Sequence, residues 1–278
     1  MADWKGRTAL VTGATDGVGR MVAARLGEMG VRVLAHGRDE ARGAALVSEI
    51  KTSGGETEFL RADLSSLAQV RSLAEAVAQR TDELHLLINN AGIGTAGPRE
   101  TSVDGHETRF AVNYLAGYLL VALLRPLLAV ARPARVVNVA SAGQQAIDFD
   151  DVMLTKSFSG ARAYCQSKLA QIMMAMEFSD ELAKEGVTIN ALHPASYMAT
   201  TMVKRAGVTP WSTVEEGADA IMQLAASPQL EGRSGLYFNG LSEARADAQA
   251  YGAHARKQLR ELSEKLVAQF GSPLAIKG

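Results

Sequence analysis

The chain has 278 residues, 47% of them hydrophobic and 21% charged, and its 29 Lys and Arg nearly cancel its 30 Asp and Glu to a net charge of −1. That balance excludes a disordered chain, and it excludes binding to nucleic acid or anionic membrane driven by bulk charge. The lone cysteine, Cys165, excludes an internal disulfide and a Cys-cluster metal site and agrees with a reducing compartment, so a cytoplasmic address is expected.

In chain order, short apolar runs at 7–13, 31–37, 56–63, 84–92, 134–141, 186–194 and 234–240 read as about seven strands, with helical patterns between them. Strands that are nearly continuously apolar are buried on both faces, so the expected fold is α/β: a Rossmann-type doubly wound parallel sheet with helices on both sides. No linker or repeat interrupts residues 1–278, and one domain is expected over that whole length. The N-terminus reaches its first strand within a few residues without a charged-then-apolar leader, so secretion is not expected. The most apolar stretch, 114–131, is broken by Arg125 and Pro126 and reads as a buried helix rather than a membrane span. An amphipathic helix is expected within 244–270.

The first strand runs directly into "TGATDGVG" at 12–19. Gly13, Gly17 and Gly19 permit a sharp turn and a close backbone approach, and the helix that follows offers free N–H groups and a positive dipole end to phosphates. With no Gly-Lys-Ser/Thr the loop is not a P-loop, and a pyrophosphate is the expected occupant, with Thr15, Asp16 and Val18 beside it. A purely structural turn is the alternative reading. The second strand ends at Gly37 followed by Arg38, where an acidic residue would select NAD(H). A guanidinium suits a 2′-phosphate, so NADP(H) is expected, although Asp39 and Glu40 nearby keep NAD(H) and a merely solvated Arg38 as alternatives.

Tyr164 and Lys168 lie four apart in a helical pattern and so share a face. Alone that spacing is common. In company with "TGATDGVG", "NNAG" at 89–92, Asn113 in "FAVNYLAG" and Ser141 in "NVAS", it makes the chain resemble the short-chain dehydrogenase/reductase superfamily over nearly its whole length. Within that superfamily "DGHETRFAVNYLAGYLL", "SKLAQIMMAMEFSDEL" and "GVTINALHP" resemble the branch of retinol dehydrogenases and WW-domain oxidoreductases.

The resemblance implies an oxidoreductase in which Tyr164 is the general acid or base, Ser141 hydrogen-bonds the substrate oxygen, and Asn113 holds a water in a relay to Lys168. Lys168 is also implied to grip the nicotinamide ribose and, with the oxidised nicotinamide, to lower the Tyr164 pKa. A phenol near ~10 is a poor base at neutral pH, and a positive charge ~4 Å away at an effective dielectric of ~20 contributes roughly 4 kcal/mol before solvation losses. By the same carry-over Asp63 and Leu64 lie around adenine, and Asn90, Ala91 and Gly92 form a cofactor wall. Asp63 reads equally as a helix N-cap. After the sixth strand Pro194-Ala195 stands where the family has Pro-Gly, and Tyr197 with Thr200 or Thr201 falls on the nicotinamide side.

Substrate walls are expected at 143–160 and 195–214, where Tyr197, Met198, Met202, Val203 and Trp211 suit a hydrophobic ketone, aldehyde or secondary alcohol. His36, His85, His106, His193 and His254 show no metal-ligand spacing, so no metal is expected. The resemblance implies a homodimer through the helices around 114–128 and Tyr164, and a monomer stays open. Two other classes compete: a cofactor-binding regulator without turnover, and a reductase of activated C=C bonds.

Overall fold

A computed structural model describes residues 4–271; the ends of the expected 1–278 domain, 1–3 and 272–278, lie outside the described residues. Eight strands form one sheet in the order β3-β2-β1-β4-β5-β6-β7-β8. They are β1 (Thr8–Val11), β2 (Arg32–Gly37), β3 (Thr57–Arg61), β4 (Leu86–Asn89), β5 (Ala134–Val139), β6 (Val187–His193), β7 (Tyr237–Asn239) and β8 (Ser242–Glu243). The first seven pair in parallel and β8 pairs antiparallel with β7. The expectation of about seven strands is thus corrected to eight. The eighth is two exposed polar residues joined to β7 by the Gly240-Leu241 turn, too short to carry an apolar pattern.

The helices are α1 (Gly17–Glu28), α2 (Glu40–Thr52), α3 (Leu67–Ala78), α4 (Ala116–Val130), α5 (Gly160–Ala183), α6 (Thr201–Arg205), α7 (Val214–Ala226) and α8 (Ala253–Val267). Successive side chains of a strand point to opposite faces, and here both faces are apolar. Leu10, Leu34, Leu87 and Val136 meet α3, α4 and α5 in one core, while Val11, Val33, Ile88 and Val137 meet α1 and α7 in the other. Burying each such side chain contributes about 1.5–3 kcal/mol, which is why the strands read as unbroken apolar runs.

The segment Phe110–Val130 is long and apolar enough to cross a membrane, but 72% of its window is buried inside the fold. Arg125 points outward from it and pairs with Glu181 of α5 and with Glu185 just beyond the end of that helix. On the outer side of α5 lies α8, whose Leu259, Ser263 and Val267 are buried. Tyr114 Oη and Ser263 Oγ hydrogen-bond at 2.8 Å beneath it.

From β1 the chain builds β2 and β3 to one side, then returns to β4 on the other. The order reverses between β1 and β4, so the loops leaving their carboxyl ends diverge and open a crevice there. Both loops singled out in the sequence, 12–19 and 89–92, leave these strand ends.

Candidate active site

Thr12 ties the two loops together. Its hydroxyl donates to Ile88 O at 3.1 Å and accepts the amides of Asn90 and Ala91 at 2.9 and 3.0 Å. The Asn90 side chain turns back the other way, its Nδ2 donating to Thr12 O at 2.8 Å and Gly13 O at 3.2 Å. Asn90 therefore props up the glycine loop through its side chain. Gly13 adopts φ +66°, and a Cβ there would lie 2.9 Å from the Ala91 Cα. A Cβ on Gly19 would lie 2.3 Å from Gly13 O and from Asn90 Nδ2. The loop needs glycine at both positions because backbone packs on backbone.

Asp16 caps α1, accepting the Gly17 amide at 2.8 Å. Burial raises its pKa, but hydrogen bonds from Thr201 and Gly17 and the charge of Arg42 outweigh that and hold the carboxyl below its ordinary value. Val18 and Gly19 follow in the first turn, where amides have no acceptor within the helix.

Beneath the loop His36 is buried. Its Nδ1 accepts the Gly13 amide at 3.3 Å and its Nε2 faces Ala62 O at 3.0 Å. Burial pushes its pKa down to about 4.

The end of β2 packs tightly on the loop: a Cβ on Gly37 would lie 2.6 Å from Thr15 Cγ2. Arg38 follows, exposed, and Arg42 reaches Asp16 at 3.1 Å while Arg61 reaches Glu40 at 3.1 Å. Asp39 caps α2 through the Arg42 amide at 3.0 Å. Three guanidinium groups and three carboxylates thus share this edge. Asp63 Oδ1 accepts the Ser65 amide at 3.0 Å, and the N-cap of α3 is Ser66 rather than Asp63. Leu64 is buried and packs in the core.

The second cluster gathers behind β4, β5 and α5. Residues Phe110–Leu115 form a π-helical turn leading into α4, and Asn113 sits in it. Single π turns in helices often mark functional sites, since the extra residue re-aims a side chain. Asn113 Oδ1 accepts the Ile93 amide at 2.8 Å, and its Nδ2 donates to Ile93 O at 3.1 Å and Ser167 Oγ at 2.9 Å. Ser141, just beyond β5, accepts the Gly143 amide at 3.0 Å and lies close enough to the Tyr164 phenol to work against the rise in its pKa.

One helical turn beyond Tyr164, Lys168 is buried, with its Nζ 5.8 Å from the centre of the Tyr164 ring. That Nζ donates to Val139 O at 2.8 Å and to Gln171 Oε1 at 2.9 Å. It also lies 3.4 Å from where a Cβ on Gly92 would stand, a point 3.2 Å from Asn113 Oδ1. Burial brings the Lys168 pKa down to about 7. Burial also pushes Tyr164 above its ordinary value, and Ser141 only partly offsets this. In these side chains burial is the largest influence on the phenol, and the lowering that the resemblance implies is one shared by Lys168 and the oxidised nicotinamide.

The segment after β6 folds over the glycine loop. Tyr197 takes the left-handed φ of +47°, and its ring meets Trp211 edge-on at 4.8 Å. Such a conformation in a bulky residue stores strain of a kind found at ligand clamps. Thr200 caps α6 and lies over Gly17, whose Cβ would stand 3.0 Å from Thr200 Cγ2, while Thr201 hydrogen-bonds Asp16. Both threonines therefore reach the loop. Pro194 is buried and Ala195 half-buried at its root, where His193 Nε2 and Ser196 Oγ lie 3.1 Å apart. The insert 143–160 is held from α8's side: Gln249 accepts the Ile147 amide at 2.6 Å and donates to Ile147 O at 3.0 Å.

Sequence reasoning missed Thr12, His36, Gln171 and Gln249. Gln171, three residues after Lys168 on a helix, had a usable signal in its spacing; the other three act only through partners distant in sequence. Among the described residues no group of His, Cys, Asp and Glu could hold a metal ion.

A glycine turn feeding a helix N-terminus at the sheet's switch point, next to a Ser-Tyr-Lys-Asn cluster, is the architecture of dinucleotide-dependent oxidoreductases. Comparison with known proteins agrees. A family model described as short chain dehydrogenase matches residues 7–210. Human Retinol dehydrogenase 12 is 35% identical over 247 residues, covering 84% of this chain and 78% of the relative. Polyprenol dehydrogenase of Mus musculus is 38% identical over 259 residues, covering 86% and 77%. Among solved structures, the Pseudomonas aeruginosa RhlG/NADP active-site complex has a TM-score of 0.71 at 29% identity, covering 86% of this chain and 97% of that one. The landomycin C-6 ketoreductase LanV with bound NADP and rabelomycin has a TM-score of 0.67 at 28% identity, covering 86% and 96%. The chain belongs to the short-chain dehydrogenase family, in its retinol dehydrogenase branch, and is an oxidoreductase acting on CH–OH and C=O groups.

Proposed function

We propose that the chain interconverts a hydrophobic aldehyde or ketone and its alcohol with NADP(H). The observation that carries this reading is the Tyr164 phenol set beside Ser141, with the Lys168 Nζ 5.8 Å from the ring centre and held by Val139 O and Gln171 Oε1. The residues fit a dinucleotide: Gly13 and Gly19 leave room for nothing but backbone, and the α1 N-terminus presents unbonded amides and a positive dipole end.

When bound, NADP(H) supplies or accepts the hydride at the substrate carbon. In reduction, Tyr164 Oη gives its proton to the carbonyl oxygen and Ser141 Oγ donates a hydrogen bond to the same oxygen as negative charge develops there. Lys168 Nζ has one donor left after Val139 and Gln171 and stands beside Gly92 and Asn113, where it would bind the ribose of the cofactor and would return a proton to Tyr164 through water. Lys168, together with the positive charge an oxidised nicotinamide would bring, would offset the cost of burying the phenolate.

Arg38, with Arg42 behind it, supports a 2′-phosphate at the adenosine end, and Gly13, Thr15, Asp16, Gly17, Val18, Gly19, Asp63, Asn90, Ala91, Pro194 and Tyr197 border the rest of the cofactor. The exposed ring pair Tyr197 and Trp211 and the nearby Met202 support an apolar substrate, as do the retinol and polyprenol dehydrogenase names of the relatives. The α8 cover over α5 supports a monomer, and the lone Cys165 a cytoplasmic address.

The test is NADPH consumption over a panel of aldehydes and ketones of increasing chain length. Turnover is expected to favour long apolar members, and Tyr164→Phe is expected to lose about 10²–10⁴-fold in kcat, the usual worth of a general acid. Unchanged turnover in that variant, or no cofactor binding by calorimetry, sinks the reading.

A further inference from the structure

Lys168 is an ammonium buried at 4% exposure, and no carboxylate among the described residues pairs with it. A buried charge without a counter-ion is costly unless its donors are satisfied. Two of its three donors end on Val139 O at 2.8 Å and on Gln171 Oε1 at 2.9 Å. Gln171 is itself 2% exposed and does not depend on chance for its position. Its backbone carbonyl accepts Asn138 Nδ2 at 3.1 Å, and Asn138 Oδ1 in turn accepts Asn89 Nδ2 at 3.0 Å. The backbone that carries this acceptor is thus tied to β5 and β4, the centre of the sheet.

We infer that Gln171 is a positioning residue for hydride transfer: its Oε1 clamps the Lys168 ammonium against Val139 O and decides that the remaining donor faces Gly92 and Asn113. The inference rests on the Tyr164–Lys168 reading above. A hydrogen bond accepted from the charged form favours that form, so Gln171 works against the burial that lowers the lysine's pKa. The other groups facing Lys168 do not replace it. Tyr164 lies on its own helix, His193 at the end of β6 is held neutral by burial and then by the lysine's charge, and Gly92, Asn113 and Val139 carry no charge. Without Gln171 the ammonium loses a proton at lower pH. Tyr164 then faces less positive charge and needs a higher pH to serve as the base of alcohol oxidation.

Two substitutions separate this from a packing role. Gln171→Met keeps length and volume without an acceptor, and Gln171→Glu keeps the acceptor and adds a charge. Each is titrated without cofactor by NMR of protein labelled at lysine Cε, with the Lys168 signal assigned by its loss in Lys168→Met. The Lys168 pKa is expected to fall by about one unit in Gln171→Met and to rise in Gln171→Glu, a tenfold change in proton affinity per unit.

With NADP and a long-chain alcohol, Gln171→Met is expected to lose about tenfold in kcat at neutral pH, to shift the acid limb of its pH profile upward by about one unit, and to leave the alcohol KM within about twofold. A Lys168 titration that stays at the wild-type value in both variants overturns the inference, even if their melting temperatures fall, because that is what packing alone would give. A shifted titration in a chain whose wild type transfers no hydride overturns the proposed function instead.

Discussion

Gly13 and His36 are joined across the end of the sheet: the Gly13 amide donates to Nδ1 at 3.3 Å, while Nε2 of the same ring donates to Ala62 O at 3.0 Å. With Nδ1 accepting, the ring is neutral and its single proton sits on Nε2. Burial lowers the folded pKa to about 4 from an ordinary value of 6.5. The unfolded chain therefore binds a proton that the folded one refuses between those values, and stability falls as pH drops through that window. His36 is expected to cost about 3 kcal/mol by its lower end. Urea unfolding from pH 7.5 to 4 checks this, with His36→Gln expected to flatten much of the slope. The lowered pKa values of His85, His106 and His193 leave the rest.

Arg38 is the exposed cation directly after the second strand, and Arg42 is already paired to Asp16 at 3.1 Å. Hydrogen bonds to charged groups contribute about 1.5–3 kcal/mol. Arg38→Ala is thus expected to raise the KM for NADPH roughly ten- to a hundredfold while changing that for NADH little, and Arg42→Ala should show a smaller effect of the same sign. Equal changes for both cofactors would remove the 2′-phosphate from this edge.

Gly19 has its missing Cβ 2.3 Å from a backbone carbonyl, an atom that cannot turn aside. Gly19→Ala is expected to cost about 1–3 kcal/mol through backbone displacement and to weaken dinucleotide binding by more than tenfold, measured by calorimetry. A variant that binds NADPH as the wild type does would show that the loop can open without consequence.

Ser263 is fully buried against Tyr114 on the inner face of α8, a helix that also anchors through Arg260 to Glu181 at 2.9 Å and Arg256 to Glu177 at 3.3 Å. With that face covered in cis, light scattering is expected to give the mass of one chain. Ser263→Arg, which α8 cannot accommodate, should expose the apolar face of α5 and bring self-association. A wild-type dimer would refute the monomer reading.

Much of this was legible in one dimension. The parallel strands announced themselves because both faces are buried, so Leu10 and Val11 alike had to be apolar although they enter different cores. The glycines were legible because backbone packed on backbone admits no other residue, and Tyr164 and Lys168 because a helix repeats on one face every four residues. The strand β8 was not, since two exposed polar residues carry no pattern. Nor was the role of Asn90: its sequence neighbours suggest a cofactor wall, but its amide is occupied by the carbonyls of Thr12 and Gly13.

The sequence by itself determined the fold class and put the glycine loop at the carboxyl end of β1, because periodicity, glycine spacing and residue chemistry are local properties. Which atom holds which was decided only by tertiary structure. That His36 supports Gly13, that Gln171 rather than a carboxylate stands behind Lys168, and that burial rather than the lysine dominates the Tyr164 pKa all depend on desolvation and on hydrogen bonds between elements far apart in the chain. Those energies exist only once the sheet and its helices have excluded water.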